Sequence, residues 1–454
     1  MAYTYRPAAS RVLPAGGMLA AYVLLLILLV NVRPFWLDEA IQLSVTWDKN
    51  VSQVIEKVRE NPGAVPLGYL SQSAVLAVTN LSRFPARFPS IAFAGMGLLI
   101  LLALARAIGC RSPWIAGLLW IVIPLELRYA LEARPYMQAC AFVVPALWCL
   151  FKVVDRPAPG YASGLALALA ACLYTQPFSA LPVLGAVLWL LVTPAARKAG
   201  LYALGASGAA VIVFLPWLFT RASAWHEQAL SQGAFAIEPK LAILIVREIS
   251  GDGYLCSVPL LILTFAGCAS MRIKPLVRRS LVAGILLAIG AAILSDAVFQ
   301  YFFAIRQIMF VLPLMFLLAA EGIRVLAERR LRWLSIGLCG LMFAAAVHKN
   351  VRYFSDRSED WQAATAALTA AAATPSSCIA YPEAQPAEFY AAFDRTLAAR
   401  GCRTLSAERI VVPATRYTKP GRLADLRAEL GRRGYVSTEG NSAGGTRIDV
   451  FRRR

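Results

Sequence analysis

The sequence predicts a polytopic α-helical membrane protein with about 11 spans, interfacial helices and a small C-terminal α/β domain. The first observation is composition, because 59% of the 454 residues are hydrophobic, well above the level of a soluble domain. The second is a succession of apolar runs that alternate with short basic clusters. The third is a change near residue 349, after which the chain is polar and mixes helical and strand patterns.

The apolar runs set the predicted number of spans. A span needs about 20 apolar residues, and about 17 suffice when flanking residues help. The runs that approach this length cover residues 15–32, 89–107, 112–127, 136–154, 161–174, 177–193, 200–219, 254–271, 280–297, 301–320 and 331–347. No small-residue cleavage site follows the first run, so we interpret it as a retained span and not as a signal peptide.

The positive charge indicates topology and not nucleic-acid binding. The net charge is +19, but Lys and Arg gather in short clusters between apolar runs, as in loops retained in the cytoplasm. The weakly apolar segment 67–81 decides the orientation of the rest. If it does not span, nearly every dense basic cluster is cytoplasmic, whereas all later clusters lie outside if it does. We therefore expect residues 67–81 to form an interfacial or re-entrant helix.

This topology predicts which polar segments share the external, non-cytoplasmic side. These are the loop after the first span, residues 126–136, Gln176, residues 221–252 and about 105 C-terminal residues. The chain accordingly divides into a transmembrane domain, 1–348, and an extracytoplasmic α/β domain, 349–454. In the second domain we expect a helix from Ser358 to Ala373 with Ser358 as its N-cap. The remaining elements expected there are helices over 388–400 and 423–433 and strands over 378–381 and 447–451.

The nine cysteines contain no close CxxC or Cys/His cluster, so no zinc or iron–sulfur site is indicated. Most of them lie in or beside apolar runs and are expected to be inert packing residues. Cys378 and Cys402 are the only cysteines of the C-terminal domain. On an oxidising side of the membrane they would form a disulfide, and the alternative is two free buried thiols.

An acidic pair follows the first apolar run, where residues 35–40 are FWLDEA. Carboxylates so close to lipid are costly unless they are paired or used, so Asp38 and Glu39 are candidate functional residues. The structural alternative is that both form ion pairs at the end of a span.

Two further segments carry charge near the external ends of spans. Residues 126–136 are ELRYALEARPY, and residues 301–307 are YFFAIRQ. The structural interpretation of Arg134 is a snorkelling residue at the interface. Arg306 lies inside an apolar run and needs an anionic partner, either a lipid phosphate or Asp296.

Together these segments resemble the GT-C membrane glycosyltransferases of the family 39 type, which include protein O-mannosyltransferases and the lipid A aminoarabinose transferase. LDEA at 37–40 is similar to the acidic motif of their first external loop, and EARPY at 132–136 is similar to their second. The resemblance covers roughly residues 15–350. Further similar stretches are 83–90, which resembles an RxPS pattern, 214–217 and 306–313.

The resemblance implies an inverting glycosyltransferase that moves a sugar from a polyprenyl-phosphate-linked donor to an envelope acceptor. That acceptor is a lipid, a polysaccharide or a protein on the periplasmic side of the bacterial inner membrane. Asp38 would be the general base, and Glu39 would orient it or bind a divalent cation or the acceptor. Arg134, Arg306 and, more weakly, Arg128 would contact the donor phosphate. Membrane lipids are the other expected partners, and no nucleic acid is expected.

The remaining substrate-binding candidates are Glu132, Tyr136, Gln176 and His226. Glu132 and Tyr136 either bind sugar hydroxyls or pack the loop. Many relatives carry a histidine-containing motif where this chain has LYTQP at 173–177, so no histidine role is carried over to Gln176. His226 lies in an external loop over 221–238 that could cover the donor site, and a structural role is the alternative. A metal requirement stays open.

One other class of function fits the acidic pair. A membrane transporter or lipid flippase could use Asp38 and Glu39 as a coupling site. Such proteins are expected to have paired half-helices and internal symmetry, and the sequence has no evident repeat.

Overall fold

The computed structural model describes residues 13–61, 64–220, 240–251, 253–299 and 305–454. His226 and the loop 221–238 lie outside the described residues, as does the side chain of Asp296, so expectations about them are not tested.

Apolar helices dominate the described chain. Those long and apolar enough to cross a membrane are Arg83–Ala107, Tyr136–Asp155, Pro194–Phe219, Pro275–Ser295, Met309–Glu328 and Arg332–Ser355. Helices Pro113–Val122 and Pro124–Ala130 meet at a bend of 67° and add a seventh candidate if they form one broken span. Shorter apolar helices are Ala15–Leu29, Pro177–Val192 and Tyr254–Gly267. The predicted multi-span helical architecture is confirmed, whereas the count of about 11 spans is not.

The chain forms two compact units. The membrane unit comprises Met1–Leu28, Val51–Ser71 and Arg87–Arg352, and the α/β unit comprises Leu29–Asn50, Gln72–Ala86 and Tyr353–Arg454. The predicted domain division at 348/349 stays a prediction.

Close helix packing in the membrane unit depends on glycine. The helices Tyr254–Gly267 and Leu312–Glu328 touch through their backbones. A Cβ on Gly267 would clash with the carbonyl of Leu318, and one on Gly322 would clash with the carbonyl of Leu263. Small residues are the usual means by which helix backbones approach closely in a membrane.

The ambiguous segment 67–81 contains the helix Pro66–Leu76, which has 11 residues. At 1.5 Å per residue this helix is about 16 Å long, and the hydrocarbon core is about 30 Å thick. Its length therefore suits an interfacial or re-entrant helix better than a span. The other helices of the membrane unit include Val51–Glu60, Pro159–Thr175 and Lys240–Glu248.

The α/β unit is built on a four-stranded sheet. Its strands are β1 (Ser377–Ile379), β2 (Arg409–Thr415), β3 (Tyr435–Ala443) and β4 (Thr446–Arg453), in the order β1-β2-β4-β3. β1 and β2 are parallel, and the other neighbouring pairs are antiparallel. The helices of this unit are Leu37–Thr46, Trp361–Ala371, Ala384–Ala391, Thr396–Ala399 and Pro420–Arg432. The predicted small C-terminal α/β domain is confirmed.

Several details of this unit differ from the sequence-based expectations. The helix expected at Ser358 begins at Trp361, because the Asp360 carboxylate accepts a hydrogen bond from the Ala363 N–H at 3.0 Å and caps it. The helix expected over 388–400 is two shorter helices. The strands β2 and β3 were not predicted. β3 is an exposed polar edge strand without an apolar alternation, whereas β2 is buried.

Both faces of the sheet are covered. One face packs on a buried core that contains Trp361, Leu368, Tyr390, Leu397, Val411, Ile448 and Ala40. The other packs on Ile410, Val412, Leu430, Tyr435 and Phe451. A disulfide joins Cys378 and Cys402, with 5.0 Å between the Cα atoms, at the edge of this second core. Of the two alternatives left open by the sequence, the structure has the disulfide.

Candidate active site

The acidic pair lies in the first turn of a helix, Leu37–Thr46, which we call the acidic helix. Carboxylates at this position interact favourably with the helix dipole. Glu39 is fully buried, and its Oε2 accepts a hydrogen bond from the Trp36 N–H at 3.4 Å. Asp38 is half-buried. The local chain therefore fixes Glu39 at the start of the helix and leaves Asp38 partly accessible.

The far end of the acidic helix is held by a buried amide. The Thr46 hydroxyl donates to Gln72 Oε1 at 2.8 Å, and Gln72 Nε2 donates to the Ala86 carbonyl at 2.8 Å. These bonds tie the last turn to a segment that leads into the helix Arg83–Ala107.

In the membrane unit, two predicted arginines share one aromatic ring. The guanidinium carbons of Arg134 and Arg306 lie 5.6 Å and 5.7 Å from the centroid of the Tyr136 ring. Both distances fall within cation–π range. The ring of Tyr129 packs edge-on against Tyr136, with centroids 4.9 Å apart.

Charges of both signs surround Tyr129. Glu132, Arg306 and Arg128 interact electrostatically with its hydroxyl, and Glu132 is buried. The structure thus brings Arg128, Glu132, Arg134, Tyr136 and Arg306 together, and we call these five residues the arginine cluster. Tyr129, which joins them, was not among the predicted site residues.

The second external motif is held in place by its neighbours. Ser90 Oγ lies 2.6 Å from the carbonyl of Glu132 and 3.1 Å from that of Arg134, so its hydroxyl can donate to either. Gly68 lies against Pro135 so closely that a Cβ there would clash with the proline ring. The arginine cluster is therefore positioned by backbone contacts as well as by its own side chains.

Arg87 is a candidate that the sequence reasoning missed. It is only 2% exposed and lies three residues before Ser90 on the helix Arg83–Ala107. A buried guanidinium is costly to desolvate, which makes Arg87 a candidate functional residue. The sequence does distinguish Arg87. The tripeptide RFP occurs twice, at 83–85 and 87–89, and only residues 87–90 complete the RxPS pattern.

Two further substrate-binding candidates are Gln176 and His226. Gln176 ends the helix Pro159–Thr175, where its N–H donates to the Cys172 carbonyl at 2.8 Å. Its role in substrate binding stays a prediction, as does that of His226.

The described residues also bear on the open question of a metal. Within the ranges that the structure describes, no group of three or more His, Cys, Asp or Glu side chains could hold a metal ion. The suggested role of Glu39 in binding a divalent cation therefore stays a prediction, and no chemical step is assigned to a metal below.

Comparison with known proteins agrees with the geometry. The family model described as dolichyl-phosphate-mannose-protein mannosyltransferase matches residues 61–219. No curated protein matches the chain by sequence.

Solved structures match over nearly the whole chain. ArnT from Cupriavidus metallidurans in the apo state has a TM-score of 0.63 at 12% identity and covers 96% of this chain and 98% of its own. ArnT bound to undecaprenyl phosphate has a TM-score of 0.63 at 13% identity and covers 98% of each chain. The oligosaccharyltransferase AglB from Archaeoglobus fulgidus, in complex with an inhibitory peptide and a dolichol-phosphate, has a TM-score of 0.56 at 11% identity. That match covers 97% of this chain and 74% of AglB.

At these identities the structural matches establish the fold. It is the fold of a membrane glycosyltransferase with a small α/β region. The family model matches residues 61–219 of the chain, and the chain has the fold of the GT-C membrane glycosyltransferases, so the sequence-based resemblance is confirmed at the level of the fold.

Proposed function

We propose that this chain is an inverting glycosyltransferase that transfers a sugar from a polyprenyl-phosphate donor to an envelope acceptor. The acceptor is a lipid, a polysaccharide or a protein outside the bacterial inner membrane. The observation that carries the proposal is the pair Arg134 and Arg306 on one Tyr136 ring, in a chain with the fold of proteins solved with polyprenyl phosphates.

The arginine cluster supplies what the donor chemistry needs. A polyprenyl phosphate leaves as an anion, so the departing oxygen requires cationic stabilisation more than protonation. Guanidinium groups match phosphate oxygens with two parallel hydrogen bonds, and they keep their charge at any physiological pH. Arg134 and Arg306 take this role, with Arg128 in support. Glu132 and Tyr136 complete the cluster and are candidates to contact the sugar.

Asp38 takes the role of general base. It accepts the proton of the acceptor hydroxyl while the acceptor oxygen bonds to the anomeric carbon and the bond from that carbon to the phosphate oxygen breaks. One direct displacement inverts the configuration at the anomeric carbon. Glu39, which is buried and bonded to the Trp36 N–H, orients the first turn of the acidic helix.

The external location agrees with a lipid-linked donor and is supported by one structural observation. Nucleotide sugars are cytoplasmic, so a transferase outside the membrane needs a lipid-linked donor. The disulfide between Cys378 and Cys402 fits an oxidising compartment. A reporter fused after Asn350 is expected to be active only on the external side, and cytoplasmic activity of that fusion would contradict this orientation.

The test uses a strain in which the gene is deleted. Mass spectrometry of polar lipids and envelope glycans identifies the product that is lost, and variants are then scored by its restoration. Asp38→Asn is expected to restore none while binding undecaprenyl phosphate as tightly as the wild type. Asp155→Asn is the matched control, because Asp155 is exposed and pairs with Lys274 at 2.6 Å.

The phosphate-binding role has its own variants. Arg134→Gln combined with Arg306→Gln is expected to lose binding of undecaprenyl phosphate, whereas Arg272→Gln, an exposed arginine that pairs with Glu328, keeps it. Full product formation by Asp38→Asn would remove Asp38 as the base. Movement of labelled undecaprenyl phosphate across vesicles by the purified protein, without transfer, would favour the flippase alternative.

A further inference from the structure

We infer that Glu359 of the α/β unit is a positioning residue for Asp38, so that this unit is part of the catalytic apparatus. The inference rests on the proposed function of Asp38 as the base. It is carried by contacts within the α/β unit alone.

The acidic helix is built into the core of the α/β unit. Ala40, two residues after Asp38, is fully buried in the same core as Trp361 and Tyr390. Leu37 packs against the edge of that core. Phe35, just before the helix, lies with its ring centroid 5.5 Å from that of Phe393. One face of the acidic helix is therefore fixed by the α/β unit, and this sets the direction of the residues on its other faces.

Glu359 caps the first N–H of this helix from a distant part of the chain. Its Oε2 accepts a hydrogen bond from the Leu37 N–H at 3.3 Å. The first N–H groups of a helix have no partner inside the helix, and a carboxylate there also suits the helix dipole. Two residues further on, the Trp361 N–H donates to the Phe35 carbonyl at 3.1 Å. These two bonds hold the chain on both sides of Trp36, immediately before Asp38.

Glu359 is itself held in place. It is 9% exposed, and its Oε1 lies 3.0 Å from Arg416 Nη2, which follows strand β2. The turn between β3 and β4 fixes its backbone, because the Asp360 N–H donates to the Gly444 carbonyl at 3.0 Å. Gly444 and Gly445 have positive φ values of 55° and 77°, and a side chain at Gly445 would clash with the Ser358 carbonyl. This close approach needs glycine.

The chemical consequence falls on Asp38. A general base must stay within hydrogen-bond reach of the proton it removes, and small misplacements lower the rate strongly. Glu359 does not touch the reacting atoms in this proposal. It keeps the first turn of the acidic helix wound, so that the carboxylate of Asp38 projects in one direction.

The first test measures amide hydrogen exchange in the full-length protein in nanodiscs. Glu359→Ala is expected to speed exchange at Leu37 by about tenfold, because the N–H loses its acceptor. Glu359→Gln keeps an acceptor oxygen and is expected to keep most of the protection. Glu439→Ala is the matched control, since Glu439 is an exposed glutamate of the same unit that pairs with Arg409 and Arg452.

The second test links position to reaction. In the deletion strain, Glu359→Ala is expected to slow product accumulation about tenfold or more without weakening undecaprenyl phosphate binding, and Glu359→Gln is expected to restore most of the rate. A structural role alone would lower the amount of folded protein in both variants and leave the rate per folded molecule unchanged.

The outcomes separate the two proposals. Unchanged Leu37 exchange in Glu359→Ala, or faster exchange with an unchanged rate per folded molecule, overturns the positioning role. Full product formation by Asp38→Asn overturns the proposed base and not the cap, which the exchange data report independently. If Glu359→Ala loosens the whole α/β unit, the Glu359→Asp variant tests the cap instead. It keeps the negative charge but has a side chain too short to bring the carboxylate to the Leu37 N–H. Protection at Leu37 equal to that of the wild type in Glu359→Asp would then refute the cap.

Discussion

Tyr136 is the residue on which the arginine cluster depends. Two guanidinium groups, from Arg134 and Arg306, lie within 6 Å of its ring centre. Like charges held on one ring repel each other, and an anion between them relieves that repulsion. The hydroxyl of Tyr136 is not needed for this arrangement, but the π face is.

This distinction gives a prediction for Tyr136. Replacement by Phe keeps the ring and is expected to leave the Kd for undecaprenyl phosphate within about twofold. Replacement by Leu removes roughly 1–2 kcal/mol of cation–π interaction and is expected to weaken binding by about fivefold to thirtyfold. Native mass spectrometry titration of the purified protein measures both. If Phe and Leu weaken the binding of undecaprenyl phosphate equally, the contribution of Tyr136 comes from its hydroxyl and not from its ring face.

Asp394 provides a prediction about pH. The Thr369 hydroxyl donates to its carboxylate at 2.6 Å, and with bonds from Thr396 this holds the pKa of Asp394 below its ordinary value. A lowered pKa stabilises the folded state above the pKa of the unfolded chain, and this contribution is lost as pH falls through the folded pKa. Thr369→Val should therefore loosen residues 392–400 at pH 7 and should have a smaller effect at about pH 3, which is below the ordinary pKa of an aspartate. Amide exchange, corrected for intrinsic rates, measures the difference, and an equal effect at both pH values would contradict it.

At the scale of single residues, the sequence identified the functional side chains but not the residues that they contact. Arg134 and Tyr136 were predicted from the motif at 132–136 and Arg306 from the segment 301–307, because both segments place charge near the end of an apolar run. Their common ring could not be predicted, since it depends on packing between helices far apart in the chain. Glu359 was not predicted at all, because nothing local distinguishes an N-cap supplied by a distant carboxylate.

Among the secondary-structure elements, the short helix Pro66–Leu76 supports the second external motif. Its length excludes a complete span, and its Gly68 lies against Pro135 of the second external motif. Ser71 on the same helix donates to Gln138 Oε1 at 3.0 Å. The helix thus supports the motif that carries Arg134 and Tyr136.

Substitution of Gly68 tests that support. Gly68→Ala places a methyl group where the Pro135 ring lies, and overpacking of this kind costs about 1–3 kcal/mol. We expect a lower thermal midpoint and weaker binding of undecaprenyl phosphate. Gly205→Ala is the control, because a Cβ at Gly205 meets nothing within 4 Å and alanine favours the helix. A Gly68→Ala protein as stable and as tight-binding as Gly205→Ala would contradict the contact.

Apolar periodicity predicted the helices well, because long apolar runs have few alternatives in a membrane. It missed the buried strand β2, and it also missed elements in which burial does not decide the structure. The strand β3 is exposed along most of its length, so its residues show no alternation. The acidic helix is short and follows the first apolar helix, and its ten residues become a helix through packing against the α/β core.

For the whole molecule, the disulfide determines how well the α/β unit holds together. Cys378 and Cys402 are separated by 24 residues, and closing a loop of this size is worth about 3 kcal/mol in the chain-entropy account. Paired replacement by serine is expected to speed amide exchange throughout the unit, including the acidic helix, because Ala40 belongs to its core. Seven other cysteines provide the internal control for alkylation, since all remain free. Reaction of Cys378 and Cys402 with a thiol reagent in unreduced protein would contradict the bond.

The cap on the acidic helix also imposes a delay during synthesis of the chain. Leu37 and Glu359 are 322 residues apart. The acidic helix therefore leaves the ribosome long before Glu359, which accepts the hydrogen bond from the Leu37 N–H, has been synthesised. At 5–20 residues per second, roughly 15 to 65 seconds of translation separate the two. The described apolar helices from Arg83–Ala107 to Arg332–Ser355 are made in that interval. On the proposed role of Asp38, a nascent chain enters the membrane before Glu359 positions the base, and we expect transfer to begin only after the α/β unit has folded.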